Sequence, residues 1–176
     1  MLALATLPAA LLGWLGSDVI AAHLRSDAVI ATTTIIFGLL LGAADRFGAR
    51  QLVAISWRAA LLIGLAQALA LIPGTSRSGI TITAALLLGY RRETAAEFSF
   101  LLAIPIIALS GLYLAAGLWQ QGATDWLLLF TAAAISALAA LACIALFMRW
   151  IERLGLWPFV VYRLLLGAVL VWLMAS

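Results

Sequence analysis

The stretch Pro73-Gly74-Thr75-Ser76-Arg77-Ser78-Gly79 gathers the side chains of this sequence best suited to chemistry. Arg77 brings a planar fork of donors and a permanent charge. Thr75, Ser76 and Ser78 flank it with hydroxyls, and Thr81 and Thr83 follow just beyond. Gly79 is expected to lead into a helix over residues 80–88, whose first amides lack intrahelical partners. A guanidinium, several hydroxyls and free amides at a positive helix end form an anion site matched to phosphate. The competing role for Arg77 is structural, capping nearby carbonyls to hold a broken helix together. The anion site is the stronger reading, because a charge amid apolar sequence is costly and by default marks function.

Other polar residues are weaker candidates. Gln67 stands two helical turns before the loop, where it either faces a cavity or makes an interhelical hydrogen bond. Glu93 and Glu97 are spaced i, i+4, which places both carboxylates on one helix face. They follow Arg91 and Arg92 at a helix entrance, so a solvated salt-bridge cluster is expected there rather than a metal site. His23 falls in a polar loop between Asp18 and Arg25 and reads as a surface histidine. Arg163 interrupts the last apolar run, and either pairs with a cavity carboxylate or snorkels to the interface. Cys143, the single cysteine, reads as a small core or lipid-facing residue.

The elements that position these groups are membrane helices. Of 176 residues, 66% are hydrophobic and 10% charged, with mean hydropathy +1.20. Soluble domains carry about 25% charged residues, so a water-soluble globule is excluded, as are collagen and disorder. Ten arginines, no lysine and seven acids give a net charge of +3. The bases sit between apolar blocks, which fits orientation and lipid headgroups rather than nucleic acid. Met1 is followed directly by apolar residues, without the basic segment that a signal peptide carries.

Uncharged runs cover residues 1–17, 28–44, 59–76, 78–90, 98–124 and 126–148, and 154–176 is broken only by Arg163. A spanning helix needs roughly 17–25 residues, which predicts about five transmembrane helices. The run 78–90 is too short to span. Pro73, Gly74 and Gly79 break the segment before it, and a break at membrane depth requires burial in protein or a wet cavity. Residues 59–89 are therefore expected to form a re-entrant helix-loop-helix around the loop 73–79. If this hairpin does not cross, Arg46, Arg50, Arg58, Arg91, Arg92, Arg149 and Arg153 share one side, with Arg25 opposite. Positive charge favours the cytoplasmic side, so the hairpin enters from the cytoplasm. The expected fold is a single all-α polytopic membrane domain over 1–176. Gly38 and Gly42 form a GxxxG for close helix contact. Trp14, Trp57, Trp119, Trp126, Trp150 and Trp157 cluster near run ends, as interfacial belts require.

The segment from Gly64 and Gln67 through Pro73-Gly-Thr-Ser-Arg77-Ser-Gly-Ile-Thr81, with Phe98-Ser99-Phe100-Leu-Leu-Ala-Ile-Pro105, resembles the undecaprenyl-diphosphatase family. Those bacterial inner-membrane enzymes remove one phosphate from a C55 polyprenyl diphosphate carrier used in cell-wall synthesis, and they affect bacitracin sensitivity. The resemblance runs from the first helix to the last. It implies that Arg77 clamps the diphosphate, that Ser76 or Ser78 takes part in the attack directly or through a water, and that Thr81 is a hydroxyl partner. Gly74, Thr75, Gly79 and Gln67 complete the implied substrate-binding set.

The family is built as an inverted repeat, with an N-terminal half bearing an (E/Q)xxxE motif and a histidine. This sequence matches the part downstream of that half, and His23 does not correspond to the family's histidine. The resemblance implies a divalent cation, Mg²⁺ or Ca²⁺, but its ligands are not evident here. They would come from the N-terminal half or from a second copy of the chain. The expected activity is hydrolysis of the lipid diphosphate to the monophosphate. The rival readings are a polyprenyl-phosphate binding or transport protein, which broken helices also suit, and a folded but inert chain.

Overall fold

The computed structural model describes residues 1–49, 51–121 and 125–175. Side chains at 17–23, 120, 121 and 152 lie outside that description, and with them the expected surface placement of His23. Seven helices follow in order: α1 (Leu2–His23), α2 (Asp27–Phe47), α3 (Trp57–Ala68), α4 (Arg77–Leu87), α5 (Arg92–Gln121), α6 (Trp126–Leu154) and α7 (Trp157–Ala175). A 3₁₀ turn, Leu69–Leu71, extends α3. α1 continues through His23, so the polar loop expected around that residue shrinks to a short turn before α2.

Small polar residues start several helices by accepting an amide proton that the helix itself leaves free. Ser26 accepts from Val29 N, Ser56 from Ala59 N and Asp125 from Leu128 N. α2, α5, α6 and α7 are long and apolar enough to cross a membrane. α1, of 22 residues, is described as apolar over Leu2–Gly16. The tryptophans at 14, 57, 119, 150, 157 and 172 are exposed on this frame, as interfacial anchors are. Cys143 is exposed on α6, which resolves its expectation toward lipid.

The hairpin α3–α4 returns to the end at which it enters. Gln51 N and Leu52 N donate to the Gly89 carbonyl at 2.9 and 3.0 Å, and Arg91 N donates to the Leu52 carbonyl at 3.0 Å. Ser56 N adds a bond to the Tyr90 hydroxyl at 3.3 Å. The two feet thus satisfy each other's backbone at one end of the hairpin. α4 begins at Arg77, three residues earlier than the expected helix over 80–88. Ser76 supplies the reason, since its Oγ accepts from Gly79 N and draws Arg77, Ser78 and Gly79 into the first turn.

Packing concentrates around this hairpin. Ile63, Leu86, Leu102, Ile151 and Leu156 are fully buried with alanines of α2, α3 and α5. α2 lies along α7, where Gly38 and Gly42 bring the helices close: a Cβ on Gly38 would stand 3.2 Å from Arg163 Cβ, and one on Gly42 3.2 Å from Val160 Cγ1. The GxxxG is a packing surface, as expected.

One charge placement differs from expectation. Arg91 does pair with Glu93 at the surface, at 3.4 Å. Arg92 instead turns inward and grips Asp45 with two bonds, of 2.5 and 2.8 Å. Asp45 is buried in the last turn of α2 and also accepts from Leu156 N at 3.4 Å. The pair ties α2, α5 and the α6–α7 turn together, a relation across 47 residues that local charge spacing does not show.

Candidate functional site

The breaker loop is suspended from two neighbouring helices. Thr33 Oγ1 on α2 donates to the Pro73 carbonyl at 2.6 Å, and Thr34 Oγ1 donates to the Gly74 carbonyl at 3.3 Å. Arg163 on α7 adds Nη2 to Gly74 O at 2.7 Å, and both Nε and Nη2 lie 3.3 Å from Thr34 O. Carbonyls that the broken helix would leave bare in apolar surroundings are thereby paired. Gly74 permits this at φ +87°, where a Cβ would strike Thr33 Oγ1 and the Ile30 carbonyl.

Ser76 follows in a conformation that serine seldom adopts, with φ 68° and ψ 112°. Such backbone strain costs about 1–3 kcal/mol and persists only when surroundings over-determine it. Here the Ser76 carbonyl accepts from Ile80 N at 3.0 Å while its Oγ caps Gly79 N at 3.3 Å. The residue is exposed toward a cavity of about 580 Å³, lined also by Thr34, Gly74, Ser78, Gly79 and Arg163. The remaining wall is nearly all apolar. Phe147 is part of it, with its ring 5.3 Å from that of Phe100 and 4.9 Å from that of Phe159 between centroids. A polar pole in an apolar chamber suits an amphipathic anion with a hydrocarbon tail.

The expected site residues divide between two layers. Gly74, Ser76, Ser78 and Gly79 line the cavity together. Arg77, Thr75, Thr81 and Gln67 do not. Arg77 Nη1 donates to the Ser99 carbonyl on α5 at 2.8 Å. Beneath it Thr81 Oγ1 lies 2.8 Å from Ser99 Oγ and donates back to the carbonyls of Arg77 and Ser78 at 3.0 and 3.1 Å. Thr75 and Gln67 are buried, and Thr75 Oγ1 and Gln67 Oε1 have no hydrogen-bond partner among the described residues. Gln67 Nε2 reaches the Ala5 carbonyl at 3.4 Å, which is the interhelical bond among its two expected roles.

Arg163 is the residue that sequence reasoning undervalued. It neither meets a cavity carboxylate nor snorkels, but is buried at 9% exposure with its fork on two carbonyls. Its signal was its position as the lone charge in the last apolar run. Arg163 thus holds the loop from α7, while Arg77 makes a carbonyl bond of the kind weighed for it, to Ser99 O on α5. Glu93 and Glu97 lie away from the cavity, and among the described residues no group of three His, Cys, Asp or Glu side chains is placed to hold a metal ion.

Residues 1–169 match the family model for bacitracin resistance protein BacA. A protein of Alcanivorax borkumensis named undecaprenyl-diphosphatase is 56% identical over 177 residues, covering 98% of this chain and 67% of its own length. One of Teredinibacter turnerae with the same name is 57% identical over 169 residues, covering 94% of this chain and 64% of its own. Undecaprenyl-diphosphatase 1 of Pseudoalteromonas translucida is 54% identical over 171 residues, with 96% and 64% covered. The chain thus spans about two thirds of the length of the curated relatives it matches. Its loop, its helices and this match along nearly all its length agree, and the chain belongs to the bacitracin resistance protein BacA family.

Proposed function

We propose that this chain carries the phosphate-binding part of an undecaprenyl-diphosphatase of the bacterial inner membrane, which hydrolyses a polyprenyl diphosphate to its monophosphate and free phosphate. The observation that carries the proposal is the polar pole of the cavity, where Ser76 and Ser78 stand at the start of α4 against otherwise apolar walls. Phosphoryl transfer needs positioning and charge neutralisation more than covalent chemistry. Dry walls strengthen each charge and dipole aimed at the phosphates.

On this reading Arg77 turns from the Ser99 carbonyl it holds behind the loop to neutralise the departing phosphate, and Ser76 or Ser78 attacks or orients the attacking water. Gly74, Thr75, Gly79, Thr81 and Gln67 shape and support the cradle. The attacking oxygen bonds to the outer phosphorus as the bridging oxygen leaves with the lipid phosphate, and the attacker's proton passes to solvent. Where a serine attacks first, water then cleaves the phosphoseryl bond to free the phosphate and restore the hydroxyl. The described residues do not fit a divalent cation, since no three suitable ligands converge and no acid lines the cavity. No step is therefore routed through one; carboxylates for such an ion would come from the N-terminal half found in the family or from a second copy of the chain.

Phosphate release from C55 polyprenyl diphosphate, by the purified chain alone and co-expressed with a family N-terminal half, tests the proposal. Release that is lost in Arg77→Ala supports it. Lipid binding without release in either preparation would point instead to a binding or transport protein.

A further inference from the structure

Two guanidiniums flank the start of α4, and they face different ways. Arg77 points behind the loop to the Ser99 carbonyl, and the cavity does not include it. Arg163 lines the cavity and is buried at 9% exposure. Its Nε and Nη2 are spent on carbonyls, whereas Nη1 has no acceptor among the described residues. No acid among the described residues pairs with it. A buried cation held only by neutral carbonyls keeps its full charge, which is costly without an anion.

The free nitrogen has a definite direction. A Cβ built on Gly79 would lie 3.3 Å from Arg163 Nη1 and 3.2 Å from Ser76 Oγ. Nη1 and the serine hydroxyl therefore both lie close against residue 79, whose lack of a side chain lets them approach at the cavity wall they share. From there α7 continues along the same cavity with Tyr162, Leu166 and Leu170, an apolar wall suited to a hydrocarbon chain.

We propose that Arg163 binds the phosphate that remains attached to the lipid, through Nη1 at the cavity wall it shares with Ser76 and Gly79. This assignment rests on reading the cavity as a lipid-phosphate site. It predicts that the monophosphate product is held by Arg163 as firmly as the substrate is. Arg163 is thus a specificity determinant for the lipid-linked phosphate and an anchor of the loop at the same time.

The test measures binding of farnesyl phosphate, farnesyl diphosphate and inorganic pyrophosphate to the full chain in detergent micelles. Arg163→Gln is expected to weaken both lipids by about tenfold or more, the loss typical of one charge-assisted bond. Gly79→Ala keeps the Arg163 side chain and displaces its Nη1, because the added Cβ would stand 3.3 Å from Nη1 and 3.2 Å from Ser76 Oγ. Where its thermal midpoint shows it folded, it should weaken farnesyl phosphate binding by about tenfold or more. Unchanged farnesyl phosphate binding in Arg163→Gln, or in a folded Gly79→Ala, overturns the assignment alone. A parent chain that binds neither lipid overturns the lipid-phosphate reading and this assignment with it.

Discussion

Arg163 Nη2 lies 2.7 Å from the carbonyl oxygen of Gly74, joining α7 to the loop between α3 and α4 across 89 residues of sequence. The same carbonyl accepts from Thr34 Oγ1, and the carbonyl before it accepts from Thr33 Oγ1. The loop is therefore held as a shaped object and not merely left where a helix stopped. Its shape is what presents Ser76 and Ser78 to the cavity.

The clamp can be loosened without changing volume. Thr33→Val keeps the side chain's shape and removes the 2.6 Å bond to Pro73 O. It should lower stability by about 1 kcal/mol and reduce phosphate release, with helix content by circular dichroism unchanged. Gly74→Ala is the harsher change, since φ +87° and the crowding by Thr33 and Ile30 exclude a Cβ. A loss of roughly 2 kcal/mol or more is expected. Equal thermal midpoints for the parent chain and Gly74→Ala would contradict the suspended loop.

Ser76 allows chemistry and stability to be separated. Ser76→Ala removes the cap on Gly79 N while leaving a Cβ at positive φ, and should cost about 1 kcal/mol. Ser76→Gly also removes the hydroxyl but relaxes the strained backbone, so its stability should stay within a few tenths of a kcal/mol of the parent. If the hydroxyl acts on the phosphate, both variants lose phosphate release by about 100-fold or more. Activity in Ser76→Gly close to that of the parent would move the role to Ser78.

The Arg92–Asp45 pair makes a stability prediction remote from the cavity. Breaking a buried pair by removing one partner costs about 3–5 kcal/mol. Arg92 retains 23% side-chain exposure against 10% for Asp45, so Arg92→Leu should fall somewhat below that range, at about 2–3 kcal/mol. Asp45→Leu combined with Arg92→Leu should be milder than Arg92→Leu alone, because the buried carboxylate that has lost the two Arg92 bonds is then removed as well. Unfolding midpoints of the two single variants and the double variant in micelles give the comparison.

Hairpin topology is testable by labelling. In a Cys143→Ala background, single cysteines at the exposed positions Val53 and Arg149 should react from one membrane face, and one at Trp119 from the other. Val53 labelled from the same face as Trp119 would mean that the segment α3–α4 crosses. The backbone bonds between residues 51–52 and 89–91 favour the first outcome.

Much of this architecture was legible in the amino-acid sequence because the bilayer enforces simple rules. Apolar runs of sufficient length, the arginine-rich loops and the breakers at Pro73 and Gly74 marked the spans and the hairpin. The same stretch pointed to Ser76 and Ser78, which the fold places together at the start of α4 on the cavity wall. Packing at Gly38 and Gly42 was readable too, since small residues are what close helix approach requires.

The partners of the charges were decided only by the tertiary structure. Arg77 and Arg163 look alike in sequence, each a lone arginine in an apolar run. The fold turns one behind the loop onto Ser99 and the other into the cavity beside Ser76. Likewise Arg92 resembled its surface neighbour Arg91 until the fold brought Asp45 within reach. Hydropathy and local spacing report how costly a charge is to bury. Which carbonyl or carboxylate offsets that cost depends on contacts 22, 47 and 89 residues away in the chain, set by how α2, α5 and α7 pack around the hairpin.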